Sequence, residues 1–435
     1  MSFPSRLVFI FCVLVSFGSC QKERTGRELD PLIPDELPML RFYESAEEFN
    51  VFALESYKKI LRKNTDENAI YSPYAFALVM EILRVGVQGE TAEKIEKCLH
   101  LPESFDINTK HPPLFQYTAP PQQKNPAWSY PPIFLSKHSL WFSEKFRLHE
   151  EYKDKTAKNY SVEFFPIDFS LSSAVIREKM NDWLRKTGQG RIPPVTSDIP
   201  AGTEFWLLQM LYFKAHWKHK FEHHFTKERP FTLMTGTTVT VPTMKEETAC
   251  MYCEDDEVQV LEIPYFSFLY KGDAENDKKK LDMPGALGGG KFSMVIFLPK
   301  ATDGITKFET NFNVARYEAL MSALQQHTVE AYIPKFRIEQ ETDLADIAEP
   351  GFWDNFDFSG ITVPGVVLNN AKATQRISMG IDEHGTEIIL LGQIGYVSLG
   401  SEPPKFIADH PFMFAIREME TGTILFLGRV MDPSK

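Results

Sequence analysis

The chain has 435 residues, 43% hydrophobic and 24% charged, an ordinary globular composition with apolar material for one large core or two domains. Its net charge of -12 argues against nucleic acid or an anionic membrane as partner, since both demand a cationic face. Of five cysteines, Cys12 and Cys20 fall in the N-terminal segment, and Cys98, Cys250 and Cys253 are too few for a disulfide scaffold, so stability must come from the core.

Arg6 precedes the eleven-residue run "LVFIFCVLVSF", followed by the small residues Gly18, Ser19 and Cys20. The run is too short to span a bilayer and suits a secretory signal, residues 1–20, cleaved after Cys20. The stretch "FGSC" also resembles a bacterial lipoprotein box, with Cys20 as the lipidated residue, although Phe17 stands where an aliphatic residue is usual. The expectation is an extracellular, secreted protein, with a lipoprotein anchored through Cys20 as the alternative. Residues 21–44 are polar and Pro-rich and read as a flexible leader.

From residue 45 the pattern is globular. "SAEEFNVFALESYKKIL" spaces Phe49, Phe52, Ala53, Tyr57, Ile60 and Leu61 for one helical face. "YSPYAFALVMEILRVG" predicts a helix capped by Ser72 with Pro73 at its first position, and Thr91 opens a third, "TAEKIEKCL". Residues 102–135 are too rich in proline for a regular helix. Beyond them a helix, "IREKMNDWLRKTG", is scattered among β-rich runs such as "VQVLEIPY", "KFSMVIFLP" and "HTVEAYIPKFRIEQ". "MFAIREMETGTILFLGRV" reads as a hairpin turning at Glu420-Thr421-Gly422. Strands without strict βαβ alternation predict an α+β fold.

The recognisable chemical motifs are incomplete. "GALGGGKF" nearly makes a phosphate loop, but Phe292 replaces the Mg²⁺-binding hydroxyl and the run precedes a strand, so it reads as a surface insertion. "HWKHKFEHH" would let His219 and His223 meet on a helical face, with His216 and His224 nearby, yet no carboxylate ligand can be named and no metal is expected. Cys250 and Cys253 form a lone CxxC, read as ordinary thiols or a tight local disulfide. No GxSxG elbow is present and nothing points to an enzyme. Asn159-Tyr160-Ser161 would be a glycosylation acceptor in a eukaryotic host.

Several blocks together resemble the serpin family: "NAIYSPYAFALVMEILRVGVQGETAEKI", "MNDWLRKTGQGRI", "MLYFKAHWKHKFEHHFTKERPF", then "VPTM", "EIPY", "FSMVIFLP", "IPKFRIE", "FDFSGIT" and "ADHPFMFAIREMETGTILFLGRVMDP", in the family's order. The resemblance implies one domain over residues 45–435, with three β-sheets, eight or nine helices and an exposed reactive-centre loop at about 383–404. It implies suicide inhibition of a serine protease: the loop is cleaved as a substrate and inserts as a new strand into the main sheet, carrying the acylated protease with it. Such loop insertion is a well-known instance of strand addition to a sheet.

On that reading "DEHGTE" is the hinge, comprising Glu383, Gly385, Thr386 and Glu387, with Ile388 and Leu390 sharing the buried face of the inserted strand with Thr386. Counting from the hinge puts the reactive bond at Leu399-Gly400; counting back from Pro403-Pro404 puts it at Gly400-Ser401. A glycine fills no pocket, so Leu399 is preferred, which implies a chymotrypsin-like or elastase-like protease with an apolar pocket. Trp217 would stand at the upper opening of the sheet. The Pro-rich segment replaces the region where some relatives carry a heparin-binding helix and has few basic residues, so no heparin or other cofactor is implied. A monomer is expected.

The departures are as informative. Where inhibitory serpins carry small residues after the hinge, this chain has Ile388-Ile389-Leu390-Leu391, and Gly392 and Gly395 weaken the strand further. In the shutter region Gln375 stands for the family's His, Gln209 for Asn and Ala75 for a Ser, beside a retained Ser72. Gln209 and Gln375 are expected to pair through their amides. Both departures favour the alternative of a non-inhibitory serpin with a binding, carrier or chaperone role.

Overall fold

The structure, a computed structural model, describes residues 40–62, 66–107, 133–188, 192–266, 291–348, 351–368, 373–383, 385 and 403–435. Helix α1 (Ala46–Leu61) starts where Ser45 accepts a hydrogen bond from the Glu48 amide at 3.2 Å, with Glu47 and Glu48 at the positive end of its dipole. Helix α2 (Pro73–Arg84) is capped as expected, the Ala75 amide donating to Ser72 Oγ at 3.1 Å. Every residue from Pro73 to Leu83 is buried, which suits a helix that is apolar all round but for Glu81. Helix α3 (Gly89–Cys98) begins two residues before Thr91, at Gly89, whose positive φ of 55° suits a residue with no Cβ. With α4 (Glu150–Tyr160), α5 (Ser173–Thr187), α6 (Ile305–Asn311) and α7 (Val314–Ala323), the described residues hold seven α-helices.

Nine strands form the larger sheet. In spatial order they are Ala69–Tyr71, Ile424–Val430, Phe412–Glu418, Phe292–Pro299, Val258–Pro264, Thr238–Glu254, Gln325–Pro334 and Lys405–Ile407, with Lys227–Thr232 paired to the first half of the long strand Thr238–Glu254. The expected C-terminal hairpin pairs Ile416 with Phe426 and turns at Gly422, whose φ of 83° suits a residue with no Cβ.

The second layer comes in two pieces. Val162–Ile167, Ile133–Ser143 and Phe205–Lys214 make a three-stranded sheet, while Phe336–Asp343 and Thr374–Ile381 make an antiparallel pair. Among the described residues, Phe205–Lys214 and Thr374–Ile381 each pair on one side only. Helix α2 lies against both Phe205–Lys214 and Ile424–Val430, so one buried helix joins the two layers. This is an α+β fold.

Leu40, Phe42 and Tyr43 correct the leader boundary. All three are buried, and the Tyr43 hydroxyl donates to the Leu99 carbonyl at 2.9 Å. The packed unit therefore takes in residues 40–44, because Leu40, Phe42 and Tyr43 bury their apolar area against it.

Candidate functional site

The strand edges of Phe205–Lys214 and Thr374–Ile381 come together at their C-terminal ends. Trp217 Nε1 donates to the Asp382 carbonyl at 2.9 Å, and the Phe221 amide donates to the Glu383 carbonyl at 3.1 Å. Trp217 is held by stacking on Tyr265, centroids 4.7 Å apart, and by an edge contact with Phe221. The Glu383 side chain, 2% exposed, accepts from Thr226 Oγ1 at 2.7 Å and Lys335 Nζ at 2.8 Å, with His223 Nδ1 at 3.3 Å. Burial pushes its carboxyl up, but the bonds from Lys335 and Thr226 outweigh it and hold the group down at about 2. Gly385 follows at φ 69°, and a Cβ there would lie 2.6 Å from Ala215 O, His216 Cα and Trp217 N. Gly385 is thus pressed onto the backbone that follows the neighbouring strand, which no side chain would allow.

Midway down, the two glutamines do not pair with each other. Gln375 bonds both ways with the Ser72 backbone: the Ser72 amide donates to Gln375 Oε1 at 2.8 Å, and Gln375 Nε2 donates to the Ser72 carbonyl at 3.2 Å. The Ser72 hydroxyl donates to the Leu425 carbonyl at 2.8 Å. Gln209 turns to His138, which stands opposite it in register on the adjacent strand, with Nε2 atoms 3.1 Å apart. His138 Nδ1 lies 2.8 Å from the Tyr160 carbonyl, which can only accept, so the imidazole carries its proton on Nδ1 and accepts from Gln209 on Nε2. Burial lowers the His138 pKa to about 4 and keeps the ring neutral. Gln209 Oε1 is buried without a hydrogen-bond partner among the described residues. The physical reason for the correction is reach: each amide has a rigid partner close beside it.

His138 and Glu81 are the residues that sequence reasoning missed. The available signal was a polar residue inside an apolar run, His138 in "IFLSKHSLWF" and Glu81 in "FALVMEIL". A buried polar group is kept only when something bonds it. Asn159 is half-buried in the last turn of α4. Thr386, Glu387, Ile388, Leu390, Leu399 and Gly400 lie outside the described residues, as do Cys20, the signal segment and Gly285 to Gly290.

The histidine run is not helical apart from a single 3-10 turn at His223–Phe225, so His219 and His223 share no helical face. No group of three potential metal ligands occurs among the described residues. Cys250 and Cys253 are free thiols on the strand Thr238–Glu254; three residues apart, they point to opposite faces. No helix among the described residues is long and apolar enough to cross a membrane.

The family model described as Serpin (serine protease inhibitor) matches residues 47–433. An uncharacterised serpin-like protein of Thermococcus kodakarensis is 30% identical over 392 residues, covering 88% of this chain and 84% of its own. The leukocyte elastase inhibitor of Sus scrofa is 27% identical over 398 residues, covering 88% and 97%. Among solved structures, human thyroxine-binding globulin complexed with thyroxine superposes with a TM-score of 0.71 at 20% identity, covering 91% of this chain and all of that one. Uncleaved ovalbumin gives 0.70 at 20% identity, covering 90% and 100%. At those identities the structures speak for the fold alone, while the family model covers most of the sequence: the chain belongs to the serpin family.

Proposed function

We propose that this serpin is a secreted inhibitor of a serine protease with an apolar specificity pocket, acting as a suicide substrate cut at Leu399-Gly400. The family consists mostly of protease inhibitors, which are not catalysts. The observation that carries the reading is the pair of strand edges, Phe205–Lys214 and Thr374–Ile381, each unpaired on one side among the described residues. Both end beside the Trp217–Asp382 hydrogen bond, with Gly385 turned against the end of the first strand. Two such edges offer backbone donors and acceptors to an incoming strand, which the hinge Glu383, Gly385, Thr386 and Glu387 would lead in.

Incubation with chymotrypsin or elastase and a denaturing gel tests this. The expected result is a covalent band at the summed mass, with cleavage mapped to Leu399-Gly400. Clean cleavage with no covalent band sinks inhibition of these proteases. It would favour the second reading, a serpin kept for binding or carriage. That reading is supported by the aliphatic run Ile388–Leu391 and by a shutter in which Gln375 bonds Ser72 and Gln209 bonds His138.

A further inference from the structure

Glu81 has no part in that site, yet it is completely buried on α2, a helix otherwise free of charge in its interior. A carboxyl group there costs several kcal/mol unless its oxygens are bonded. It has three partners. The Arg41 amide donates to both oxygens at 3.1 and 3.0 Å, the Phe42 amide donates to Oε1 at 3.0 Å, and Tyr160 Oη bonds Oε2 at 3.0 Å. The two amides belong to the segment Leu40–Tyr43, seated by the Tyr43–Leu99 hydrogen bond and by Phe42 against Phe105, centroids 5.0 Å apart.

The bonding does not stop at Tyr160. Its carbonyl accepts from His138, and His138 accepts from Gln209 in the middle of the edge strand Phe205–Lys214. Glu81, Tyr160, His138 and Gln209 are each at most 1% exposed. Every bond from Glu81 to Gln209 is therefore buried, and losing one leaves a buried group unsatisfied. Burial raises the Glu81 pKa to about 8; whether the carboxyl or the tyrosine supplies the proton, one hydrogen bond joins them.

We propose that the seated segment Leu40–Tyr43 is a latch on the opening edge of the sheet, coupled to it through Glu81, Tyr160, His138 and Gln209. Unseating it loosens Phe205–Lys214. That loosening the edge also speeds loop insertion rests on the function proposed above; the coupling itself does not.

Hydrogen exchange of the intact protein, read by mass spectrometry, tests the coupling without a protease. Tyr160→Phe removes one hydroxyl and keeps the ring. Exchange across Phe205–Lys214 should then rise about fivefold or more, while Ile424–Val430, on the other side of α2, stays at the wild-type rate. A rise confined to Arg41 and Phe42, or spread evenly over both strands, would overturn the proposal and leave Glu81 a static anchor. Coupling is reciprocal, so Gln209→Leu at the far end should speed exchange of the Arg41 and Phe42 amides. Unchanged amides there would overturn it too, and this variant serves alone if Tyr160→Phe does not fold. A missing covalent complex with protease would leave both results standing, so the two proposals fail separately.

Discussion

Glu383 and Glu81 are both carboxyls withdrawn from water, and their partners drive them in opposite directions. Glu383 meets a cation, Lys335, and a hydroxyl, Thr226, and is held at about 2. Glu81 meets only neutral hydrogen-bond partners, and burial carries it to about 8. A carboxyl whose folded pKa is depressed stabilises above its unfolded value and loses that contribution as pH falls through the folded one. Glu383 therefore contributes in full above about pH 4.5 and progressively less down to about 2. Replacing it by Gln should cost about 2 kcal/mol at pH 7, the worth of a charged hydrogen bond. The gap between wild-type and variant melting temperatures should close as pH falls to about 2; a gap constant with pH would deny the carboxylate this role. Glu81 has the opposite sign: its burial is harmless below about 4.5 and costs progressively more up to about pH 8.

At the level of elements, the question is what a new strand between the two edges would meet. A charge carried by an inserted residue that faces the core costs several kcal/mol unless it is paired there. If the proposed inhibition holds, Thr386→Arg should convert the protein to a plain substrate, seen on a gel as cleaved chain without the covalent band. Undiminished complex would exclude insertion past the hinge. The aliphatic run makes a second prediction. Each bulky residue entering a space packed for alanine costs roughly 1–3 kcal/mol, and insertion must outrun deacylation. Replacing Ile388, Ile389, Leu390 and Leu391 by Ala should lower the number of inhibitor molecules consumed per protease inactivated, and an unchanged ratio would show that the run does not limit insertion.

For the molecule as a whole, stability rests on α2, buried between the two layers, and on the strands of the larger sheet. If a cleaved loop completes the second layer, two edges that each pair on one side only among the described residues gain a partner and backbone pairing becomes continuous. Cleavage should then raise the melting temperature well above that of the intact chain, whichever way the race with the protease ends. No rise would mean that the edges are never bridged.

Much of this was legible from local chemistry. Ser72 before Pro73 specifies a helix start, and Gly422 between alternating apolar runs specifies a hairpin, because caps and turns are settled within a few residues. The partners of Gln375 and Gln209 were not legible. Ser72 is 303 residues from Gln375, and His138 meets Gln209 only because two strands align in one register. Patterning determined the α+β class and the order of blocks that marks a serpin. Only the tertiary structure decided that two strand edges each stay unpaired on one side among the described residues, that Leu40–Tyr43 is docked on Glu81 and that Gln209 meets His138. Helix and turn signals are short-range, whereas a buried hydrogen bond depends on which distant backbone the packed chain brings within about 3 Å.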